Sequence, residues 1–130
     1  MGKARSPTIV LDSGALIAWE RGDARMRTLI RDSLRARARL IIPAGVLGQV
    51  WRDGARQVPL RALVNDAMTE VPPLDRLLAE AAGTLCGRAG TADVVDASVA
   101  LIAKRAQALV VTSDTGDFRR LDPSLKVESI

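Results

Sequence analysis

The chain has 130 residues, 48% of them apolar, and a polypeptide of that length buries roughly two-thirds of its unfolded surface, so one compact domain over 1–130 is expected. Nineteen Lys and Arg against fifteen Asp and Glu leave a net charge of +4, a mild bias toward polyanionic partners, and there is no histidine, which excludes Ser-His-Asp, Cys-His and His-based acid–base catalysis. The apolar set is aliphatic, with two Trp, one Phe and no Tyr, which argues against a single-strand binder that stacks bases on aromatic rings. The lone Cys86 permits no intrachain disulfide and no zinc cage, and a cytoplasmic setting is expected. Charge, Gly or Pro interrupts every apolar run before a membrane-spanning length, so no membrane partner is expected. Met1 to Ser6 fits the N-myristoylation pattern, but the pattern is short, common by chance, and followed at once by a core strand.

In chain order, Thr8 to Leu11 is a β-branched run that stops at Asp12-Ser13-Gly14, and Ala15 to Trp19 reads as a compact helix. From Asp23 to about Arg39, Met26, Leu29, Ile30 and Leu34 recur at helical spacing among arginines. Leu40-Ile41-Ile42 predicts a second strand and Ala44 to Arg56 a helix burying Val46, Leu47 and Val50. Another helix starts near Pro59, a residue tolerated in a first turn. Glu70-Val71 is a weak strand, followed by a helix through Leu74, Leu77, Leu78 and Ala81 that the Gly87–Gly90 stretch breaks. Thr91 is the expected N-cap of a helix from Asp93 to Gln107. Leu109 to Thr112 is the clearest buried strand; a turn over Ser113–Asp117, a short helical turn over Phe118–Leu121 and a strand at Val127 complete the pattern. Strands alternating with helices predict an α/β domain with a parallel sheet covered on both faces.

In such sheets ligands bind beyond the carboxyl ends of the strands. Two strands finish in aspartates there, Asp12 and Asp114, although helix capping alone also accounts for an Asp in that place. Asp96 sits in the first turn of the helix leading to the strand before Asp114, among Val94, Val95, Ala97, Val99 and Ala100, where an unpaired carboxylate is unfavourable. Asp93, three residues earlier, is either a cap or an accessory acid. Clustered carboxylates need protons or cations to neutralise them. An oxygen-only set favours Mg²⁺ or Mn²⁺, which bridge to substrate phosphates. The chemistry left open is metal-assisted phosphodiester hydrolysis.

Asp12 after the first strand, the Asp96-Ala97-Ser98-Val99-Ala100-Leu101-Ile102-Ala103 helix and the run Val111-Thr112-Ser113-Asp114-Thr115-Gly116-Asp117-Phe118 together resemble a PIN domain, in particular VapC-type toxins of toxin-antitoxin pairs. The resemblance extends over nearly the whole chain. It implies a three-layer α/β/α fold with a mainly parallel sheet and a ribonuclease that uses Mg²⁺ or Mn²⁺. Its metal acids match Asp12, Asp96 and Asp114, with Asp117 as an additional acid and Thr112 as the hydroxyl residue holding the site. A VapB-type antitoxin and a homodimer are the partners it implies besides RNA. Ser13 falls beside the first acid as a site-lining residue. One departure stands out: where such domains carry an acid, commonly Glu, on the helix after the second strand, this chain has Gln49. Asp53, four residues on, either substitutes through water or pairs with Arg52 or Arg56.

Arg52, Arg56, Arg119 and Arg120 are nearest in sequence to the acids and are the expected substrate contacts. Arg25, Arg27, Arg31, Arg35, Arg37 and Arg39 fit RNA phosphates, a solvated helix face, or a surface for an antitoxin or second subunit. Trp19 and Trp51 read as packing residues or interface anchors. Two other readings remain. A PIN-like module weakened by Gln49 would bind RNA or protein without efficient cleavage. An aspartyl phosphotransferase with Asp12 as nucleophile would need an acid two residues later, where Gly14 stands.

Overall fold

The computed structural model describes residues 7–130; the Met1–Ser6 pattern lies outside them. Among the described residues five strands form one sheet: β1 (Thr8–Leu11), β2 (Arg39–Ile41), β3 (Thr69–Glu70), β4 (Leu109–Thr112) and β5 (Lys126–Ser129). The spatial order is β3-β2-β1-β4-β5, and every neighbouring pair is parallel. Val10 registers with Ile41 on one side and Val110 on the other. The chain winds outward from β1 through β2 to β3, then returns to place β4 on the opposite side of β1. The strand order therefore reverses between β1 and β4, and a crevice opens at their carboxyl ends.

The helices are α1 (Ser13–Glu20), α2 (Ala24–Arg35), α3 (Ala44–Val50), α4 (Val58–Val64), α5 (Arg76–Ala89), α6 (Val94–Ala106) and α7 (Thr115–Leu121). Right-handed crossovers send the helices of the two winding directions to opposite faces, giving three layers. Helix α1 packs on α2, α3 and α4, while α6 packs on α5 and α7. Val10, Leu11, Val110 and Val111 are wholly buried between the layers, which explains why β1 and β4 read as unbroken apolar runs rather than alternating ones. No described helix is long and apolar enough to cross a membrane.

Several helix boundaries depart from the sequence expectation. Helix α3 stops at Val50 instead of continuing to Arg56. The Gln57 side chain accepts from the Arg52 and Asp53 amides at 2.7 and 2.9 Å and donates to the Val50 carbonyl at 2.9 Å and Glu20 Oε1 at 2.8 Å. A side chain seven residues away thus satisfies backbone groups that a longer helix would pair internally. Helix α5 runs through Gly87 and ends at Ala89, with Gly90 at φ +73° supplying the left-handed cap. Asp93, not Thr91, caps α6; the Thr91 hydroxyl accepts from the Asp93 amide at 3.2 Å, one step outside the helix. The last helix also begins earlier than expected, at Thr115.

Phe118 is the one aromatic side chain that is fully buried, and it lies on α7, which packs against α5, α6 and β5. Phe118→Ala should destabilise the protein by roughly 3–5 kcal/mol in urea titrations. A loss below about 1 kcal/mol would mean that α7 is held by something other than this ring.

Candidate active site

The switch point is built around Asp12, the first residue after β1. Its carboxylate is 6% exposed. Oδ1 accepts from the Ala15 amide at 2.9 Å, capping α1, while Oδ2 accepts from the Thr112 hydroxyl at the end of β4. The same Thr112 oxygen accepts from the Asp114 amide at 2.8 Å. The strand ladder continues beneath this connection, with the Asp12 amide donating to the Val111 carbonyl at 3.3 Å. One wholly buried hydroxyl therefore joins the two strand ends and both aspartates. Burial pushes the Asp12 carboxyl above the usual range; the Thr112 hydroxyl and the Ala15 and Gly14 amides oppose that rise, and the Asp114 charge adds to it.

Asp96 enters from α6. Asp93 caps that helix, its Oδ1 accepting from the Asp96 amide at 2.9 Å. Asp96 is half-buried, and its carboxyl is pushed up to about 7, first by burial and then by the charges of Asp93, Asp12 and Asp117. Asp114 caps α7, accepting from the Asp117 amide at 3.2 Å. The exposed Asp117 carboxyl is raised chiefly by its side-chain hydrogen bond with Asp114, while Arg120 opposes the shift. Thr91, Asp93, Asp96, Asp117, Arg120 and Leu121 line a shallow cleft of about 150 Å³.

All five predicted acids thus act on one another electrostatically. Three of them, Asp12, Asp93 and Asp114, also cap helices, so capping and clustering are not alternatives here. The helix N-termini supply partial positive charge that helps to hold the acids together. Among the described residues no three acids close on a point tightly enough to form a ready-made metal cage. The donor chemistry nevertheless fits a hard divalent cation: every contributor is a carboxylate, and burial together with the neighbouring acids drives Asp96 toward protonation.

The remaining predicted residues are placed less uniformly. Ser13 is half-buried as the first residue of α1. Gln49 is exposed near the end of α3. A Cβ on Gly45, one turn earlier on the same side of α3, would lie 3.2 Å from Val95 Cγ2, so that side of α3 faces the start of α6, where Asp96 sits. Asp53 does not share a helix with Gln49. It lies in the turn past α3, where it pairs with Arg56 at 3.6 Å. The Arg52 guanidinium turns back to the Gly48 and Trp51 carbonyls at 3.1 and 2.7 Å. On α7 both arginines are exposed, and Arg120 rather than Arg119 lines the acid cleft. Its spacing of three from Asp117 is the signal that separates the two. Gln57, which shapes the loop carrying Arg52 and Arg56, has no sequence signature at all.

The PIN domain family model matches residues 9–123. The chain belongs to the PIN domain family. Solved PIN-like folds agree with this. VapBC2 from Rickettsia felis, bound to a DNA fragment from their promoter, shares 17% identity over 95% of this chain and 98% of that one, with a TM-score of 0.70. FitAcB from Neisseria gonorrhoeae shares 20% over 92% and 95%, with a TM-score of 0.61. FitAB bound to the IR36 DNA fragment shares 19% over 93% and 94%, with a TM-score of 0.62. No curated relative matches at a significant level.

Two measurements probe this PIN site without substrate. Thr112→Val removes a buried hydrogen bond to a carboxylate and should lower stability by roughly 1.5–3 kcal/mol, with Thr112→Ser recovering most of it. Equal loss in both variants would assign the effect to packing. Asp96 is raised in the folded state, so its favourable contribution is complete below the ordinary pKa of 3.8 and is lost as pH climbs through about 7. In the metal-free protein at about pH 8, Asp96→Asn should therefore raise Tm by roughly 2–4 °C, a modest figure because the group is half-exposed, with the gain shrinking toward about pH 4. A difference that does not vary with pH would contradict the electrostatic origin.

Proposed function

We propose that this PIN domain is a ribonuclease dependent on Mg²⁺ or Mn²⁺, and that it is the VapC-type toxin of a toxin-antitoxin pair. The observation that carries the reading is Asp12, buried at the switch point, tied to Thr112 and surrounded by acids, among which burial and then the neighbouring carboxylates lift Asp96 to about 7. Asp12, Asp96 and Asp114 would hold the metal and serve catalysis, with Asp117 and Asp93 as outer acids. When bound, the ion supplies positive charge to phosphate oxygens and acidifies water. Thr112 fixes the Asp12 carboxylate in one orientation, which lowers the reorganisation needed when substrate arrives. Arg120 offsets part of the acidic charge and gives an RNA phosphate a cation beside the acids; Arg52, Arg56 and Arg119 are further candidates for phosphate contacts.

The same reading includes a cytoplasmic protein, a homodimer and a VapB-type antitoxin as partner. A second reading, a binding module with weak or no cleavage, is favoured by Gln49 in place of an acid and by the lack of a closed three-acid cage among the described residues.

Cleavage of a mixed structured-RNA pool with Mg²⁺ or Mn²⁺ separates the two. Asp12→Ala and Asp114→Ala should each reduce cleavage by at least roughly 100-fold, since even partners of metal ligands are worth 10–100-fold. Gln49→Glu should tighten Mn²⁺ binding measured by calorimetry, and Asp96→Ala should weaken it. RNA binding without Asp-dependent cleavage in either metal would leave the binding module.

A further inference from the structure

A second concavity adjoins the acid crevice. Gly14, Ile17, Arg21, Asp23, Ser113 and Ile130 line a cavity of about 590 Å³, within the range that small ligands occupy. Its position is set by the same two strand ends, since Gly14 follows Asp12 by two residues and Ser113 directly precedes Asp114. The acidic cleft of Asp96, Asp117 and Arg120 is lined by a different set of residues, on the side of α6 and α7. The two recesses have no lining residue in common.

The chemistry of this second recess is unlike that of the first. Its wall carries Ile17, an apolar side chain 40% exposed on a helix that otherwise buries its aliphatics. Its rim carries Arg21, whose guanidinium has no carboxylate within ion-pairing distance among the described residues. Asp23, the one acidic side chain in the lining, is already engaged as the N-cap of α2, accepting from the Met26 amide at 2.9 Å. Arg27 folds back over the same turn: a Cβ on Gly22 would lie 2.6 Å from its Nη2. Arg27 likewise has no acidic partner among the described residues. An unneutralised guanidinium on the rim beside an apolar wall, with a second on the adjoining turn, suits a ligand with an anionic group joined to a flat, partly apolar body. A nucleotide has that composition.

We propose that the cavity between α1 and the β4–α7 turn is a nucleotide subsite, which holds the residue of the RNA strand next to the scissile phosphate, with Ile17 against the base and Arg21 on its phosphate. The proposal rests on the ribonuclease reading for its placement along the strand. It goes further by giving the substrate a defined path, from Arg120 across the acids to Arg21.

The test is fluorescence anisotropy with a short, labelled, random-sequence single-stranded RNA and the whole chain. Ca²⁺ replaces Mg²⁺ and Mn²⁺, so that binding is read apart from cleavage. Arg21→Gln should weaken binding roughly tenfold, the worth of one charge-assisted contact. It should also reduce the slope of log K against log salt by about 0.7, one phosphate contact on a single strand. Ile17→Asp, a surface change checked for folding by circular dichroism, should weaken binding as well. Arg105→Gln, in the last turn of α6 at the other end of the sheet, should stay within about twofold of wild type.

Unchanged binding in Arg21→Gln and Ile17→Asp overturns the subsite. So does an equal loss in Arg105→Gln, which would reduce the effect to bulk charge, and so does a wild-type protein that binds no RNA. Arg21-dependent binding without cleavage in Mg²⁺ or Mn²⁺ would sink the nuclease reading and leave the subsite standing. Asp12-dependent cleavage with Arg21→Gln indistinguishable from wild type would do the reverse.

Discussion

The hydroxyl of Thr112 stands between two aspartates at the ends of adjacent, paired strands. It donates to Asp12 and accepts from the Asp114 amide, so each strand end is positioned relative to the other. Because the group is wholly buried, water cannot replace either partner. The geometry of the crevice, the starts of α1 and α7 and the separation of the two carboxylates all follow from that one connection. The parallel sheet brings the strand ends together, and the hydroxyl determines how they meet.

Carboxylates gathered at one edge work against folding unless something answers their charge. Three answers are visible. Helix N-termini lie under Asp12, Asp93 and Asp114; Arg120 stands beside Asp117; and Asp96 shifts toward its neutral form. The first two are permanent and the third is reversible, so a cation can displace the proton at modest energetic expense.

Much of this was legible in the sequence for physical reasons. Strands β1 and β4 are buried on both faces, so they read as continuous apolar runs, and Asp12 and Asp114 follow them closely enough for the switch-point rule to apply. Asp96 was legible because a charged residue stands in an apolar stretch. What escaped were interactions between residues distant in sequence or indifferent to type. The end of α3 depends on Gln57 reaching back across the turn, and no local propensity encodes that. Gly87 reads as a breaker, yet α5 carries it because packing outweighs an intrinsic penalty of about 1 kcal/mol. Arg119 and Arg120 are equivalent in composition, and only the phase of α7 distinguishes them.

The contact between Gly14 and Ser113 has a consequence for what this scaffold can become. A Cβ at position 14 would fall 2.1 Å from Ser113 Oγ and 2.9 Å from its Cβ, so turning the hydroxyl aside does not make enough room. An aspartyl phosphotransferase needs an acid at that place, two residues after its nucleophile. Such an acid is not merely missing from this chain; the Ser113 side chain occupies the space that its Cβ would need. Reaching that chemistry from this fold would require the Ser113 side chain to give way first, which separates the two reaction types by a change at a second position rather than by a single substitution.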